Sequence, residues 1–217
     1  MTRNMRQTKI KICGITESRG LEAAVTHGAD FVGFVFHGSS SRCVTPAQVQ
    51  RLTTQIPESV LKVGLFVDPD EAALDAVLSQ VTLNLIQLHG NESPERVSAV
   101  KSHTSLPVIK ALRIASKIDL NQASLFDDSA DWMMFDAKSK IEGQFGGTGH
   151  TFDWSILEGQ KVSKPWMLAG GLTPGNVVEA VTRLRPTAVD VSSGVEREPG
   201  IKDPDKIAAF IKAVRQA

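Results

Sequence analysis

The stretch Phe31-Val-Gly-Phe-Val-Phe36 is apolar at every position, and Val63-Gly-Leu-Phe-Val67 repeats this character further along the chain. A strand with one face in solvent alternates apolar and polar residues, whereas a parallel strand that is covered on both faces is apolar almost throughout. These two stretches therefore predict strands of a parallel sheet whose two faces are both buried.

Similar short runs, separated by amphipathic stretches, recur along the whole chain. The predicted strands are Lys9 to Ile15, Phe31 to Phe36, Lys62 to Val67, Leu85 to His89, Val108 to Arg113, Trp132 to Asp136, Trp166 to Ala169 and Ala188 to Val191. The predicted helices are Ser18 to His27, Pro46 to Gln55, Pro69 to Gln80, Pro94 to Ser102, Pro174 to Leu184 and Pro204 to Val214. Five of these helices begin with proline, which suits the first helical turn because no N–H is needed there.

This alternation predicts the α/β class and a single (β/α)8 TIM barrel over residues 1–217. A doubly wound open sheet is the structural alternative, since strand and helix alternation alone does not separate the two folds. The barrel is favoured because no Gly-x-Gly-x-x-Gly opens the first helix and no phosphate-binding Gly-x-x-x-x-Gly-Lys-Ser/Thr occurs.

The charge balance argues against a polyanionic partner. Lys plus Arg and Asp plus Glu number 24 each, so no field of one sign is available for nucleic acid or an anionic membrane. The polar start of the chain is followed by an apolar run too short for a signal peptide or a membrane span, which predicts a cytoplasmic protein. Cys13 and Cys43 are then expected to be thiols, and neither has the companions of a zinc site.

In such barrels the active site is built at the C-terminal ends of the strands, and the unusual residues of this sequence collect there. Gly170 and Gly171 follow strand seven, and Asp190 precedes Ser192-Ser193-Gly194 after strand eight. Glycines let backbone N–H groups approach an anion, and a short helix beginning at the serines would point its N-terminus at it. Both loops are predicted to bind phosphate, although a glycine pair alone can simply form a turn.

Two residues are candidates for proton transfer. Asp136 ends an apolar strand, where burial disfavours the charged carboxylate and suits a general acid, although an N-cap or ion pair would also explain it. Cys13 is either a small buried apolar residue or, as a thiolate near a cation, a base or nucleophile. Lys11 is not expected to be that cation, because two residues along a strand it lies one layer away.

Two further residues could contact a substrate at the mouth. Arg42 follows strand two, and its planar guanidinium suits a carboxylate or phosphate, although a lone loop arginine is more often solvated. His89 at the end of strand four is either a ligand contact or a histidine satisfied beneath the mouth.

Together these motifs resemble the phosphoribosylanthranilate isomerase family over nearly the full length. The resemblance lies in Lys11-Ile-Cys-Gly-Ile15, Gly28-Ala-Asp-Phe-Val-Gly-Phe34, Val63-Gly-Leu-Phe-Val67, Gln87-Leu-His-Gly90, Phe145-Gly-Gly-Thr-Gly149 with Phe152-Asp-Trp154, Leu168-Ala-Gly-Gly-Leu172 with Asn176-Val177, and Asp190-Val-Ser-Ser-Gly-Val-Glu196. The stretch His37-Gly-Ser-Ser-Ser-Arg42 departs from the family, in which a proline often precedes the arginine.

The resemblance implies an Amadori rearrangement in tryptophan biosynthesis, with Cys13 as general base and Asp136 as general acid. It implies that Arg42 pairs with the anthranilate carboxylate and that the loops at Gly170-Gly171 and Ser192 to Gly194 hold the phosphate. The loop Gly146-Gly147-Thr-Gly149 would close over the substrate. His89 and Asp190 are counted among the residues that contact it. No metal or organic cofactor is expected, because the substrate forms its own electron sink.

Other readings of the same barrel remain open at this point. A pentose-phosphate epimerase would need metal ligands beside His89, and an indole-glycerol-phosphate synthase would need a lysine acid such as Lys110. An inactive barrel that only binds a phosphorylated ligand is the alternative from another class. Expected partners are a small phosphorylated substrate and other enzymes of tryptophan biosynthesis.

Overall fold

The computed structural model describes residues 7–54, 56–137, 154–160 and 162–217. Eight parallel strands form a closed barrel in chain order, with β8 pairing back onto β1. Their bounds are β1 Lys9–Cys13, β2 Phe31–Val35, β3 Leu61–Phe66, β4 Leu85–Leu88, β5 Val108–Ile114, β6 Trp132–Ala137, β7 Trp166–Ala169 and β8 Ala188–Val191. The closed sheet confirms the (β/α)8 prediction and excludes the open doubly wound sheet.

The helices lie between the strands. Their bounds are α1 Ser18–His27, α2 Pro46–Thr53, α3 Glu71–Leu78, α4 Pro94–Thr104, α5 Lys117–Leu120, α6 Val177–Leu184 and α7 Pro204–Arg215. Short 3-10 helices cover Ala123–Phe126, Trp154–Ile156 and Ser193–Val195. After β8, strands β9 Glu196–Glu198 and β10 Ile201–Lys202 form a small antiparallel hairpin outside the barrel.

Proline marks the start of three of the five helices for which the sequence predicted it. Helices α2, α4 and α7 have proline in their first turn, and side chains of Thr45, Ser93 and Asp203 accept hydrogen bonds from the first backbone N–H groups. Helices α3 and α6 begin later than predicted. In α3 the reason is that Asp70 is the N-cap and accepts from Ala73 N, so Pro69 stays outside the helix.

Apolar residues fill two separate regions. One cluster lies inside the barrel, built from residues such as Phe31, Val63 and Met167. A larger cluster, which includes Val32 and Phe34, lies between the barrel and the surrounding helices. Neighbouring residues of β2 thus pack on opposite faces of the sheet, which explains why the whole strand is apolar. In the described part of the chain no helix is long and apolar enough to cross a membrane.

Candidate active site

An open pocket of about 770 Å³, part of which opens to solvent, lies at the C-terminal end of the barrel. It is lined by nine residues that the sequence singled out: Cys13, Arg42, His89, Asp136, Gly170, Gly171, Asp190, Ser192 and Ser193. The pocket therefore joins residues from both ends of the chain at one site. Gly147, with the rest of its predicted loop, lies outside the described residues.

Cys13 is buried at the end of β1 and shares its surroundings with Lys11 and Asp190. Burial raises the pKa of the Cys13 thiol above its ordinary value, while the charge of Lys11 and a hydrogen bond from it act in the opposite direction. Lys11 Nζ donates to Asp190 Oδ1 at 2.8 Å, and the lysine is fully buried. The expectation that Lys11 would not be the cation beside Cys13 was wrong, because its long side chain brings the ammonium group close to the cysteine although the two residues are two positions apart on the strand.

Asp136 forms a hydrogen bond with His89, which in turn forms a hydrogen bond with the side-chain amide of Gln87. His89 Nε2 lies 3.1 Å from Asp136 Oδ2, and Gln87 Nε2 lies 2.9 Å from His89 Nδ1. An amide nitrogen can only donate, so Nδ1 accepts and the ring proton is on Nε2, which donates to the carboxylate. The apolar surroundings expected for Asp136 therefore include a polar partner. Both ring nitrogens of His89 thus have hydrogen-bond partners beneath the mouth, and the residue still lines the pocket.

Arg42 reaches over the mouth but is anchored by a residue that the sequence did not single out as a site residue. Its Nε and Nη2 each donate to a carboxylate oxygen of Glu196 at 2.7 Å. Lys202 Nζ, which is fully buried, donates to the same carboxylate at 2.9 Å. Burial alone would raise the pKa of Glu196, but the bonds from Arg42 and the charge of Lys202 outweigh burial and lower it. The three groups carry one net positive charge, which suits an anionic ligand.

The two loops predicted to bind phosphate are neighbours at the mouth. Gly170 and Gly171 both have positive φ values, of 89° and 64°, a conformation that glycine adopts without strain. Across from them the short helix Ser193–Val195 begins where the sequence predicted one. Gly194 does not line the pocket; a Cβ on it would overlap the carbonyl oxygen of Leu172, so glycine is needed for the two loops to approach.

The loop after β8 is fixed from below. Ser192 Oγ donates to the carbonyl oxygen of Cys13 at 3.1 Å, and Lys202 Nζ donates to the carbonyl oxygen of Ser192 at 3.1 Å. The Arg42 side and the Ser192 side of the pocket are therefore tied together through Lys202 and Glu196.

Lys110 does not fit the alternative of a lysine acid at the mouth. Its ammonium group forms a buried ion pair with Glu92 and donates to the carbonyl oxygen of Gly90 at 2.9 Å. Glu92 Oε1 also accepts from Asp68 N and Gly90 N. These contacts join the loops after β3 and β4, so Lys110 is a structural residue. Among the described residues no group of three or more His, Cys, Asp and Glu side chains could hold a metal ion.

Comparison with known proteins gives a family. The family model described as N-(5'phosphoribosyl)anthranilate (PRA) isomerase matches residues 10–213.

The chain belongs to the N-(5'-phosphoribosyl)anthranilate isomerase family.

Relatives of that name are similar over almost their whole length. The isomerase of Paracoccus denitrificans is 54% identical over 203 residues, covering 93% of this chain and 94% of the relative. That of Rhodospirillum rubrum is 50% identical over 217 residues, covering 98% and 100%. The family resemblance inferred from the motifs is thereby confirmed.

Solved structures of phosphoribosylanthranilate isomerases have the same fold. The enzyme of Thermotoga maritima has a TM-score of 0.88 at 39% identity, covering 97% of this chain and 100% of that one. A second isomerase structure, with a TM-score of 0.84 at 37% identity and the same coverage, is in complex with reduced 1-(o-carboxyphenylamino)-1-deoxyribulose 5-phosphate.

The sequence did not predict that the site of this isomerase family member rests on buried, paired lysine and glutamate side chains. Lys11, Lys110 and Lys202 are fully or almost fully buried, as are Glu92 and Glu196. One signal was available: Lys11 and Lys110 interrupt apolar strands, and a buried lysine is almost always paired. The identity of each partner could not be read from the sequence, because the partners come from other strands and loops.

Proposed function

We propose that this chain converts N-(5-phosphoribosyl)anthranilate into 1-(2-carboxyphenylamino)-1-deoxyribulose 5-phosphate, an aldose-ketose isomerisation in tryptophan biosynthesis. Membership of the isomerase family supports the reaction. The observation that carries the proposal is that Cys13 and Asp136 line one pocket from β1 and β6, which β7 and β8 separate around the barrel. A base and an acid on different sides of a bound sugar can act on different atoms of it.

The acid acts first. Asp136 donates a proton to the furanose ring oxygen, the bond from C1 to that oxygen breaks, and the nitrogen lone pair forms an iminium ion at C1. The His89 bond to Oδ2 holds the carboxyl in one orientation.

The base acts on the iminium ion. The Cys13 thiolate removes the proton from C2, which the iminium has made acidic, and the electron pair moves to give an enolamine. The enolamine then takes a proton at C1 and loses the hydroxyl proton at C2, which leaves the ketone. No atom is gained or lost overall, and the substrate's own iminium is the electron sink, so the proposal includes no metal or organic cofactor.

Two anionic groups of the substrate fit two parts of the pocket. Arg42 binds the anthranilate carboxylate with the part of its guanidinium that Glu196 does not occupy. The loops at Gly170-Gly171 and Ser192 to Gly194 bind the phosphate through backbone N–H groups. Asp190 lines the pocket next to Cys13, where it contacts the sugar.

We extend the proposal to the whole chain and its setting. Residues 1–217 act as one catalytic barrel domain in the cytoplasm. The partners of this domain are enzymes that make or consume the same phosphorylated intermediates. These statements rest on the barrel, which uses strands from Lys9 to Val191, and on relatives aligned along nearly the whole chain.

The decisive experiment follows the loss of anthranilate-type fluorescence from freshly prepared phosphoribosylanthranilate, in the presence of a chelator. Native protein should turn over, and Asp136→Asn should lower kcat by roughly 10² to 10⁴-fold, the usual contribution of a general acid. Cys13→Ser should be impaired similarly, because a hydroxyl is a far poorer base than a thiolate. Cys43→Ser is the matched control, since Cys43 is exposed. Absence of turnover by folded native protein would refute the proposed reaction.

A further inference from the structure

Lys11 is a charged side chain inside the barrel that the proposed reaction does not use. It is fully buried on β1, and its ammonium group forms an ion pair with Asp190 of β8 at 2.8 Å. Lys11 and Cys13 are two residues apart on one strand, so their side chains point to the same side, into the barrel. A buried ammonium is costly unless a nearby anion offsets its desolvation. The position of Lys11 beneath the site therefore needs an explanation.

The ammonium and the thiol border the same small space. A Cβ placed on Gly33 of β2 would lie 2.9 Å from Cys13 Sγ and 3.1 Å from Lys11 Nζ. Glycine at this position thus leaves room for both groups. The hydrogen bond from Lys11 favours the ionised sulfur, because an ammonium donates to a thiolate more strongly than to a thiol.

Four charged groups act on Cys13 or respond to its charge. Burial is the largest influence and raises the pKa of the thiol; Lys11 lowers it, Asp190 raises it and Lys202 of β10 lowers it. The fourth group is Arg42, from the loop after β2, whose own pKa the Cys13 charge helps to raise. Lys11 acts both through its charge and through its hydrogen bond, and its charge alone outweighs that of Asp190.

We propose that Lys11 is a positioning residue that supplies the counter-charge for the Cys13 thiolate, and that Asp190 holds the ammonium group in place. The inference rests on the proposed function in taking Cys13 as the base. Lys11 itself remains protonated, since the charges of Asp190 and Cys13 outweigh its burial and raise the pKa of Lys11 above its ordinary value. When the thiol ionises, its proton therefore leaves through the pocket to water, and the sulfur faces a permanent cation.

The chain allows the ionisation of Cys13 to be measured directly. A thiolate absorbs more ultraviolet light than a thiol, and tyrosinate is the usual interference in such titrations. This chain has no tyrosine and two cysteines, so the Cys43→Ser protein reports Cys13 alone. In that background Lys11→Met should raise the titration midpoint by about one pH unit or more, a tenfold loss of thiolate at a given pH.

Two companion variants separate electrostatics from general disturbance. Asp190→Asn should shift the midpoint downward, because it removes an anion that disfavours the thiolate. Lys9→Met is the matched control: Lys9 lies on the same strand and points to the same side, one layer further from Cys13, and should leave the midpoint unchanged. A purely structural role would not give shifts of opposite sign at Lys11 and Asp190.

If Lys11→Met alone does not fold, the double variant Lys11→Met with Asp190→Asn removes both charges together. Its midpoint should remain above the native one, because Lys11 outweighs Asp190 at the sulfur. An unchanged or lowered midpoint in the folded Lys11 variant, or an equal rise in Lys9→Met, would overturn the proposal.

The titration needs no substrate, which keeps the two proposals distinguishable. If native protein shows the Lys11-dependent midpoint but no isomerase turnover, the proposed function fails and the counter-charge stands. If native protein turns over, the pH at which kcat falls on the acidic side should be higher in Lys11→Met than in native protein, with KM little changed. Turnover with an unmoved kcat profile and an unmoved midpoint overturns the role of Lys11 alone.

Discussion

Arg42 and Glu196 are 154 residues apart in the chain and form a two-pronged ion pair, with Nε and Nη2 of the guanidinium each 2.7 Å from a carboxylate oxygen. The bond to Glu196, stronger in effect than burial, raises the pKa of Arg42 above its ordinary value. The pair fixes the plane of the guanidinium at the rim of the pocket, while Nη1 takes no part in it. A loop arginine is thereby preorganised before any ligand arrives.

We expect Arg42→Lys to raise KM by roughly 10- to 100-fold, because a lysine cannot pair with Glu196 and a ligand carboxylate in one plane. The change in kcat should be smaller. Steady-state kinetics with phosphoribosylanthranilate measure both values. An analogue that lacks the carboxylate should bind native protein and the variant equally, and an equal loss of affinity for that analogue would show that Arg42 does not contact the carboxylate.

His89→Gln separates two roles for this histidine. As the group that orients Asp136, His89 should affect chemistry, so kcat should fall by roughly tenfold or more, a part of what the acid itself contributes. KM should change little. Stopped-assay rates over a range of substrate concentrations give the two constants. A raised KM at unchanged kcat would instead make His89 a substrate contact, as its position on the strand first indicated.

Gly14→Ala tests the space beside the arginine. Gly14 has a φ of 74°, and a Cβ there would lie 2.6 Å from Arg42 Cδ. We expect a loss of about 1–3 kcal/mol in unfolding free energy from backbone strain, together with a raised KM. Gly28→Ala is the matched control, because Gly28 has a φ of 91° with nothing near its Cβ position. Urea unfolding should therefore show a lowered unfolding free energy for both variants, whereas steady-state kinetics should show a raised KM for Gly14→Ala only. Equal KM values for the two variants would argue against the overlap with Arg42.

Glu92→Gln should destabilise the protein in a way that depends on pH. Burial acts to raise the pKa of Glu92, but the hydrogen bond and charge of Lys110 and two backbone N–H groups outweigh it and lower the pKa. A lowered folded-state pKa gives stability that is present above the unfolded-state value and is lost as pH falls through the folded one. At neutral pH the variant leaves Lys110 buried without its counter-charge, which costs about 3–5 kcal/mol.

Unfolding in urea at a series of pH values measures this effect. The difference between native protein and Glu92→Gln should start to shrink at the ordinary glutamate pKa, where the unfolded chain takes up the proton, and should vanish only as the pH falls through the lowered folded-state pKa, where native Glu92 becomes neutral as well. Glu22→Gln, at an exposed position on α1, should show no such difference. A gap that stays constant over this pH range would mean that the ion pair does not account for the loss.

Several features were predictable because they depend on local pattern alone. Phe31 to Phe36 indicated a strand buried on both faces, and β2 is buried throughout. Pro46 and Pro94 marked true helix starts. Pro69 did not, because the N-cap Asp70 that follows it decides where α3 begins, and α6 begins at Val177 rather than at Pro174. Cys13 and Asp136 were found as candidates because each ends a strand of the barrel.

The sequence by itself determined the barrel, the family motifs and the rim on which the candidate residues stand, since strand periodicity and strand ends are properties of neighbouring residues. Only the tertiary structure decided which charges meet: Lys11 with Cys13 and Asp190, and Arg42 with Glu196. These contacts join strands and loops far apart in the chain, and ring closure between β1 and β8 sets their geometry. Electrostatic interactions depend on distance and burial, and neither quantity exists until the barrel has closed.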